Sequence, residues 1–311
     1  MSKVVEVSAA VLLRNEGREY LLAQRPVGKV YAGYWEFPGG KVEPGETHRH
    51  ALDRELHEEL GIRVTAATPW LSRRFVYPHA SVRLKFFLVT AWEGEIAPIE
   101  HSGFAWITLG QTPEVAPILP ANDPILRALS LPERYAITNA ADSGIEAELA
   151  RLEQGLAGGL KLLQIRDKTL PPEQRADFAR RATQLAHSHG ARVLVNDDAD
   201  LARAVGADGL HLSAGQLMAA DQRPDFPWVA ASCHDAQELA RAAELGMDFA
   251  VLGPVAPTPT HPGQAGLGWE GFAQLVDDCP LPVYALGGMA PEHMTQARES
   301  GAHGLALMRN W

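Results

Sequence analysis

The chain has 311 residues, 46% of them hydrophobic and 21% charged, and a formal charge of −10. That length suits two domains and the balance is that of a soluble globular protein, while the acidic charge excludes long duplex nucleic acid, whose binding rests on clustered Lys and Arg. No apolar run approaches the ~20 residues that cross a bilayer, so no membrane partner is expected; Met1 to Glu6 lack a signal-peptide core, and the two cysteines, Cys233 and Cys279, point to a reducing cytoplasm without a disulfide framework.

In chain order, the first ~130 residues are irregular in rhythm. Alternating apolar segments at residues 4–13 and 82–90 predict strands, and residues 47–60 predict one amphipathic helix between them. Residues 112–124 hold Pro113, Pro117, Pro120 and Pro124, which is loop chemistry, and a short helix is expected over 124–130. Residues 131–134 read as a linker between a first domain, 1–130, and a second, 135–311. In the second, short apolar runs at 135–138, 160–165, 193–195, 209–212, 228–232, 249–252, 283–286 and 304–308 alternate with Ala-, Leu- and Arg-rich helical segments. Eight strands in that rhythm describe a (β/α)8 barrel without a closing helix; a doubly wound open sheet alternates in the same way.

The helix at 47–60 carries the first chemistry. Thr47 is a candidate N-cap and Gly61 a C-terminal stop. Glu55, Glu58 and Glu59 fall at i, i+3 and i+4, so three carboxylates share one face, while Leu52, Leu56 and Leu60 line another. Like charges at that spacing repel, Arg54 offsets this only in part, and a divalent cation would remove the penalty. A solvated acidic face is the alternative for the helix alone. The surrounding spacing decides against it: Gly40, five residues, Glu46, seven residues, then Arg54-Glu55-Leu56-x-Glu58-Glu59-x-Gly61-Ile62 matches the fixed positions of the Nudix box.

Trp35-Glu36-Phe37-Pro38-Gly39-Gly40-Lys41, Trp92-Glu93-Gly94-Glu95 and Pro120-Ala121-Asn122 further resemble the 8-oxo-dGTP diphosphatase (MutT-type) branch of that family. The resemblance implies an α/β/α sandwich (α+β) that hydrolyses a nucleoside triphosphate to the monophosphate and pyrophosphate with Mg2+, Mn2+ being a substitute. It makes Glu55, Glu58, Glu59, the Gly39 carbonyl and Glu100 metal ligands, with Glu55 also a candidate to activate water and Arg54 a glutamate-positioning residue. By the same likeness Arg25 contacts substrate and Asn122 reads the purine edge; an Asn-Asp-Pro turn opening a helix is the other reading of Asn122. Ala80 stands where the branch usually has an arginine.

Residues 134–311 resemble thiamine-phosphate synthase, with Gln164-Ile165-Arg166-Asp167-Lys168 as the strongest motif. The resemblance implies a TIM barrel in which Gln164, Arg166 and Lys168 face a pyrimidine pyrophosphate. It makes Asn196, at the end of the next strand, a ligand-binding residue, Asp197 a magnesium ligand, Thr258 and Thr260 a thiazole-phosphate loop, and Gly287-Gly288 a phosphate-cradling turn. The chain departs from that pattern at Gln216, where the family has a second aspartate, at His261 in place of a lysine, and at Met308-Arg309-Asn310-Trp311 in place of a serine-containing loop. Pro254 replaces the histidine of the related tautomerases. The expectation is a barrel that binds a pyrimidine or thiazole phosphate without efficient synthase turnover; synthase activity, a thiamine-pathway pyrophosphate as the hydrolase's substrate, and a sensor or scaffold role are the alternatives. His211 and His234 are pocket-lining or structural, and Cys233 with His234 makes a poor nucleophile–base pair because strand neighbours point to opposite faces.

Overall fold

The computed structural model describes residues 4–77, 80–257, 266–309 and 311. The chain divides into two compact units, Met1–Ser130 and Leu131–Trp311. The first is built from β1 (Val4–Arg14), β2 (Glu19–Gln24), β3 (Trp35–Glu36), β4 (Gly39–Lys41), α1 (His48–Leu60), β5 (Arg63–Tyr77), β6 (Ala80–Glu93), β7 (Gly103–Thr108) and α2 (Asp123–Leu129). Its sheet runs β3-β2-β1-β6-β5, with β4 paired to β1 and β7 to β2. Strand β1 is the hub, parallel to β6 and antiparallel to β2 and β4.

Alternation along β1 sorts its side chains to two faces. Ala10 and Leu12 meet Leu52, Leu56 and Leu60 of α1, whereas Ala9 and Val11 join Phe37, Phe86, Ile125 and Leu129 on the α2 side. The result is an α/β/α sandwich. The Leu52, Leu56, Leu60 stripe is fully buried; Glu58 lies on the far side of α1, Glu55 at its flank, and Glu59 is buried beside the stripe. The helix starts where Thr47 accepts from the His50 N–H and stops at Gly61, whose φ of 73° lets its N–H reach back into the last turn. The longest strand, β5, escapes the sequence reading because three register shifts against β6, around Ala66 and between Pro69 and Ser72, break its period of two.

The second unit comprises β8 (Arg134–Ile137), α3 (Ala140–Ser143), α4 (Ile145–Ala157), β9 (Leu162–Ile165), α5 (Pro172–Ser188), β10 (Arg192–Asn196), α6 (Ala199–Val205), β11 (Gly209–Leu212), α7 (Ala214–Ala219), β12 (Trp228–Cys233), α8 (Ala236–Glu244), β13 (Phe249–Leu252), α9 (Gly268–Val276), β14 (Val283–Ala285), α10 (Met294–Glu299) and β15 (Gly304–Leu307). The eight strands close as β10-β11-β12-β13-β14-β15-β8-β9, all neighbours parallel, so the barrel is formed and the open sheet is not. Inward-pointing Tyr135, Ile137, Leu162, Leu194, Ala230, Phe249, Val251, Tyr284 and Ala306 fill the interior, with Leu131 plugging the N-terminal end of β8. No described helix is long and apolar enough to cross a membrane.

Candidate active sites

In the first unit, Gly39 and Gly40 bring the strand β4 against α1. Gly39 has φ of 141° and a side chain there would overlap the Ser8 carbonyl; a Cβ on Gly40 would overlap the Glu55 carboxylate. Glycine at 39 lets β4 lie against β1, and glycine at 40 leaves room for the Glu55 carboxylate. Arg54 then spans three carboxylates: its Nη1 donates to Glu55 at 2.8 Å and Glu58 at 3.2 Å, and its Nη2 to Glu46 at 3.0 Å and the Lys41 carbonyl. This fork holds the box together and raises the pKa of Arg54. Burial pushes the Glu55 carboxyl up, against the pull of Arg54 and with Glu59 and Glu58 adding to the rise.

Glu59 is buried and turned the other way. Its Oε2 accepts from the Gly39 N–H at 2.9 Å and lies 3.2 Å from His101 Nε2. That second contact has ion-pair distance without hydrogen-bond alignment, and neither ring nitrogen of the buried His101 has an aligned partner among the described residues. Burial opposes protonation of His101, but the neighbouring Glu59 outweighs it and raises the pKa. His101 was not anticipated; nothing in its spacing marks it, because it reaches Glu59 through the backbone bonds from Ile99 and Glu100 to the Glu59 carbonyl.

The other sequence candidates are dispersed. Arg25 is engaged with Glu36 at 2.5 Å and with the Val30 carbonyl. Glu36, also unanticipated, has its pKa raised by burial despite Arg25. Glu100 is half-exposed and faces Lys29 at 3.4 Å. Asn122 is buried in the turn before α2, with an amide nitrogen that has no partner among the described residues. Pro78 and His79 lie outside the described residues, as does the side chain of Ala80.

No three His, Cys, Asp or Glu side chains among the described residues converge at metal-ligating distance. Glu55 and Glu58 face Arg54, and Glu59 faces Gly39 and His101. The donor set still fits a hard divalent cation: all donors are oxygens, and the desolvated Glu55 beside Glu58 and Glu59 is an excess of negative charge that such a cation would neutralise.

In the second unit, the C-terminal strand ends surround a cavity of about 440 Å3. Gln164 lies in β9, Arg166 and Lys168 follow it, Asn196 ends β10, and Gly287, Gly288 and Arg309 follow β14 and β15; all line it. Gln164 donates to Asn196 Oδ1 at 3.0 Å, and the buried Asn196 amide nitrogen has no partner among the described residues. Lys168 pairs with Asp197 at 3.0 Å. Burial raises the Asp197 pKa, but the Ser213 N–H and Lys168 outweigh it, so the carboxyl sits below its usual range. An ionised Asp197 at a strand end is chemically suited to a divalent cation. Gly287 and Gly288, at φ of 100° and 66°, turn tightly against Pro254 and Ala256, where any Cβ would collide.

Gln216 is exposed on α7 and does not line the cavity. Thr258, Thr260 and His261 lie outside the described residues. Cys233 and His234 both line the cavity, because β12 ends at Cys233 and strand alternation does not extend to His234. Burial pushes the Cys233 thiol up and His234 is bonded to Glu238, so they remain a poor nucleophile–base pair for a different reason. Ser232 was missed, although alternation with the inward Ala230 would have found it.

A family model described as the NUDIX domain matches residues 5–129, and one described as thiamine monophosphate synthase matches residues 134–310. A putative thiamine-phosphate synthase of Geobacter sulfurreducens is 36% identical over 178 residues, covering 56% of this chain and 84% of the relative. The thiamine-phosphate synthase of Nostoc punctiforme is 37% identical over 179 residues; the alignment takes in 57% of this chain and spans half, 50%, of that relative. The solution structure of the E. coli ORF135 protein is 38% identical, covering 41% of this chain and 89% of that chain with a TM-score of 0.37. With a closed eight-stranded barrel on one side and the Gly40–Ile62 box on the other, the chain belongs to the thiamine monophosphate synthase family over residues 134–310 and carries a NUDIX hydrolase domain over residues 5–129.

Proposed function

We propose that the first domain, residues 1–130, is a Mg2+-dependent nucleoside triphosphate pyrophosphohydrolase acting on oxidised purine nucleotides, 8-oxo-dGTP foremost, in a nucleotide-sanitising role. The observation that carries the substrate side is Asn122: its buried amide N–H has no acceptor among the described residues, and a purine edge would supply one. Glu55, Glu58 and Glu59, with the Gly39 carbonyl and Glu100, would hold the cation, which when bound neutralises phosphate charge and makes water more acidic. Arg54 fixes the direction of Glu55 and Glu58 through its fork. Glu55, with a raised pKa, is suited to take the proton of the attacking water, whose oxygen ends on a phosphorus of the triphosphate as the bridging P–O bond between monophosphate and pyrophosphate breaks. Arg25 would meet substrate only by releasing or sharing Glu36.

The barrel, residues 135–311, binds a pyrimidine or thiazole phosphate in the cavity, using Gln164, Arg166, Lys168, Asn196, Asp197, Gly287 and Gly288, with Thr258 and Thr260 assigned on the family likeness alone. Synthase activity is the second reading, favoured by the ionised Asp197 beside Lys168. Pyrophosphate release by the full-length protein, compared as kcat/KM for 8-oxo-dGTP, dGTP and thiamine diphosphate, tests the assignment. A preference for 8-oxo-dGTP of about 100-fold, ~2.7 kcal/mol of transition-state binding, supports it. Equal slow rates on all three would move the substrate elsewhere.

A further inference from the structure

Beneath the cavity floor runs a hydrogen-bond chain that the site residues above do not include. Tyr135, from β8, is fully buried between the rings of Phe249 and Tyr284, and its hydroxyl lies 3.0 Å from His211 Nδ1. His211, from β11, is 1% exposed, and its Nε2 lies 2.9 Å from Ser232 Oγ. Ser232 lines the cavity. The chain therefore leads from the apolar centre of the barrel to the ligand surface.

Its polarity follows from counting donors. A neutral imidazole has one N–H and one bare nitrogen. If Nδ1 carried the proton, it would donate to Tyr135, and the phenolic O–H would point into aromatic rings with no acceptor among the described residues. Leaving a buried donor unmade costs ~1–3 kcal/mol. If Nε2 carries the proton, Tyr135 donates to Nδ1, Nε2 donates to Ser232 Oγ, and every group is used. In that arrangement the Ser232 oxygen is already accepting, so its own O–H is released towards the cavity. The ring is 1% exposed and bonded only to two neutral hydroxyls, Tyr135 and Ser232, so the neutral imidazole is the form this order describes.

We infer that Tyr135 and His211 are positioning residues that hold Ser232 as a hydrogen-bond donor to an acceptor atom of the phosphorylated ligand in the barrel. This rests on the phosphate-binding reading of the barrel, but the polarity of the chain does not. The test uses full-length protein with labelled histidine and two measurements. The first is the His211 tautomer by proton–nitrogen correlation, assigned by loss of the signal in His211→Gln. The second is Mg2+-pyrophosphate affinity by calorimetry in Tyr135→Phe, Ser232→Ala and the double variant, all in a Glu59→Gln background to silence the other site.

We expect a single Nε2–H tautomer that loses its uniqueness in Tyr135→Phe. Pyrophosphate binding should weaken about 3- to 10-fold in each single variant, and the double variant should be no weaker than Ser232→Ala alone. A merely structural Tyr135 would instead give additive losses. An Nδ1–H tautomer, a tautomer indifferent to Tyr135→Phe, or full additivity overturns the inference. Failure of pyrophosphate to bind even with Tyr135 and Ser232 intact would overturn Ser232's role as ligand donor together with the phosphate-binding reading, leaving the tautomer to report only on the chain's polarity.

Discussion

The hydrolase site and the barrel site handle charge in opposite ways. The first crowds Glu46, Glu55 and Glu58 around one guanidinium on the side of α1 away from its leucines. The second gathers Arg166, Lys168 and Arg309 around a concave cavity, with Asp197 paired to Lys168. An acidic surface binds a polyanion only through a cation, whereas a basic bowl with backbone N–H groups can meet the anion directly. The two sites also differ in how they are encoded. One is packed into the 23 residues from Gly40 to Ile62; the other is assembled from strand ends between Gln164 and Arg309.

The strongest way to break this contrast is to remove the buried carboxylate. Glu59→Gln keeps the size and an acceptor oxygen for Gly39 but removes the charge. Hydrolysis of nucleoside triphosphate should fall about 10³-fold in kcat/KM, read as Mg2+-dependent pyrophosphate release. Pyrophosphate binding by the barrel should be unchanged. Retained hydrolysis would mean that the carboxylate face is not the metal site, and a change in the barrel would mean that the two sites communicate.

A smaller and sharper change is Gly40→Ala. The added methyl occupies the space of the Glu55 carboxylate and must displace it from Arg54. Displacement without loss of charge should cost about 30-fold in kcat with a modest loss of thermal stability, since misplacement by about an ångström is enough to disturb catalysis. Unchanged kcat would detach Glu55 from the chemistry and leave it an Arg54 partner.

How legible each site was follows from the same difference. Helix periodicity places Glu55, Glu58 and Glu59 on one face, and α1 begins and ends at the caps its sequence marks. The barrel strands were visible because parallel strands buried on both faces read as continuous apolar runs, Gly209–Leu212 and Phe249–Leu252 among them. What stayed hidden were partners brought together only by tertiary folding. His101 reaches Glu59 from a loop more than forty residues on, and Tyr135 meets His211 across the barrel, 76 residues apart. Residues such as Glu36 and His211 look like ordinary strand residues until their neighbours are known. Strand β5 was missed for a local reason, its bulges.

The smallest expected effect concerns stability and lies wholly in the barrel. Burial pushes His211 down to about 3, below the ~6.5 of an exposed imidazole. Between those values the unfolded chain binds a proton that the folded chain refuses, so acidification favours unfolding. The contribution of a neutral His211 is complete above about pH 6.5 and is lost progressively as the pH falls towards 3. From about pH 7 to about pH 5 the loss is on the order of 2 kcal/mol, a few degrees in the Tm of a domain this size. His211→Gln removes the titrating ring, so its unfolding midpoint should fall less over the same range than that of the parent chain. Among its described residues the hydrolase domain has no matching histidine with a pKa lowered by burial, because the Glu59 carboxylate raises that of the buried His101. A pH dependence of barrel melting identical in both proteins would mean that His211 is not held neutral.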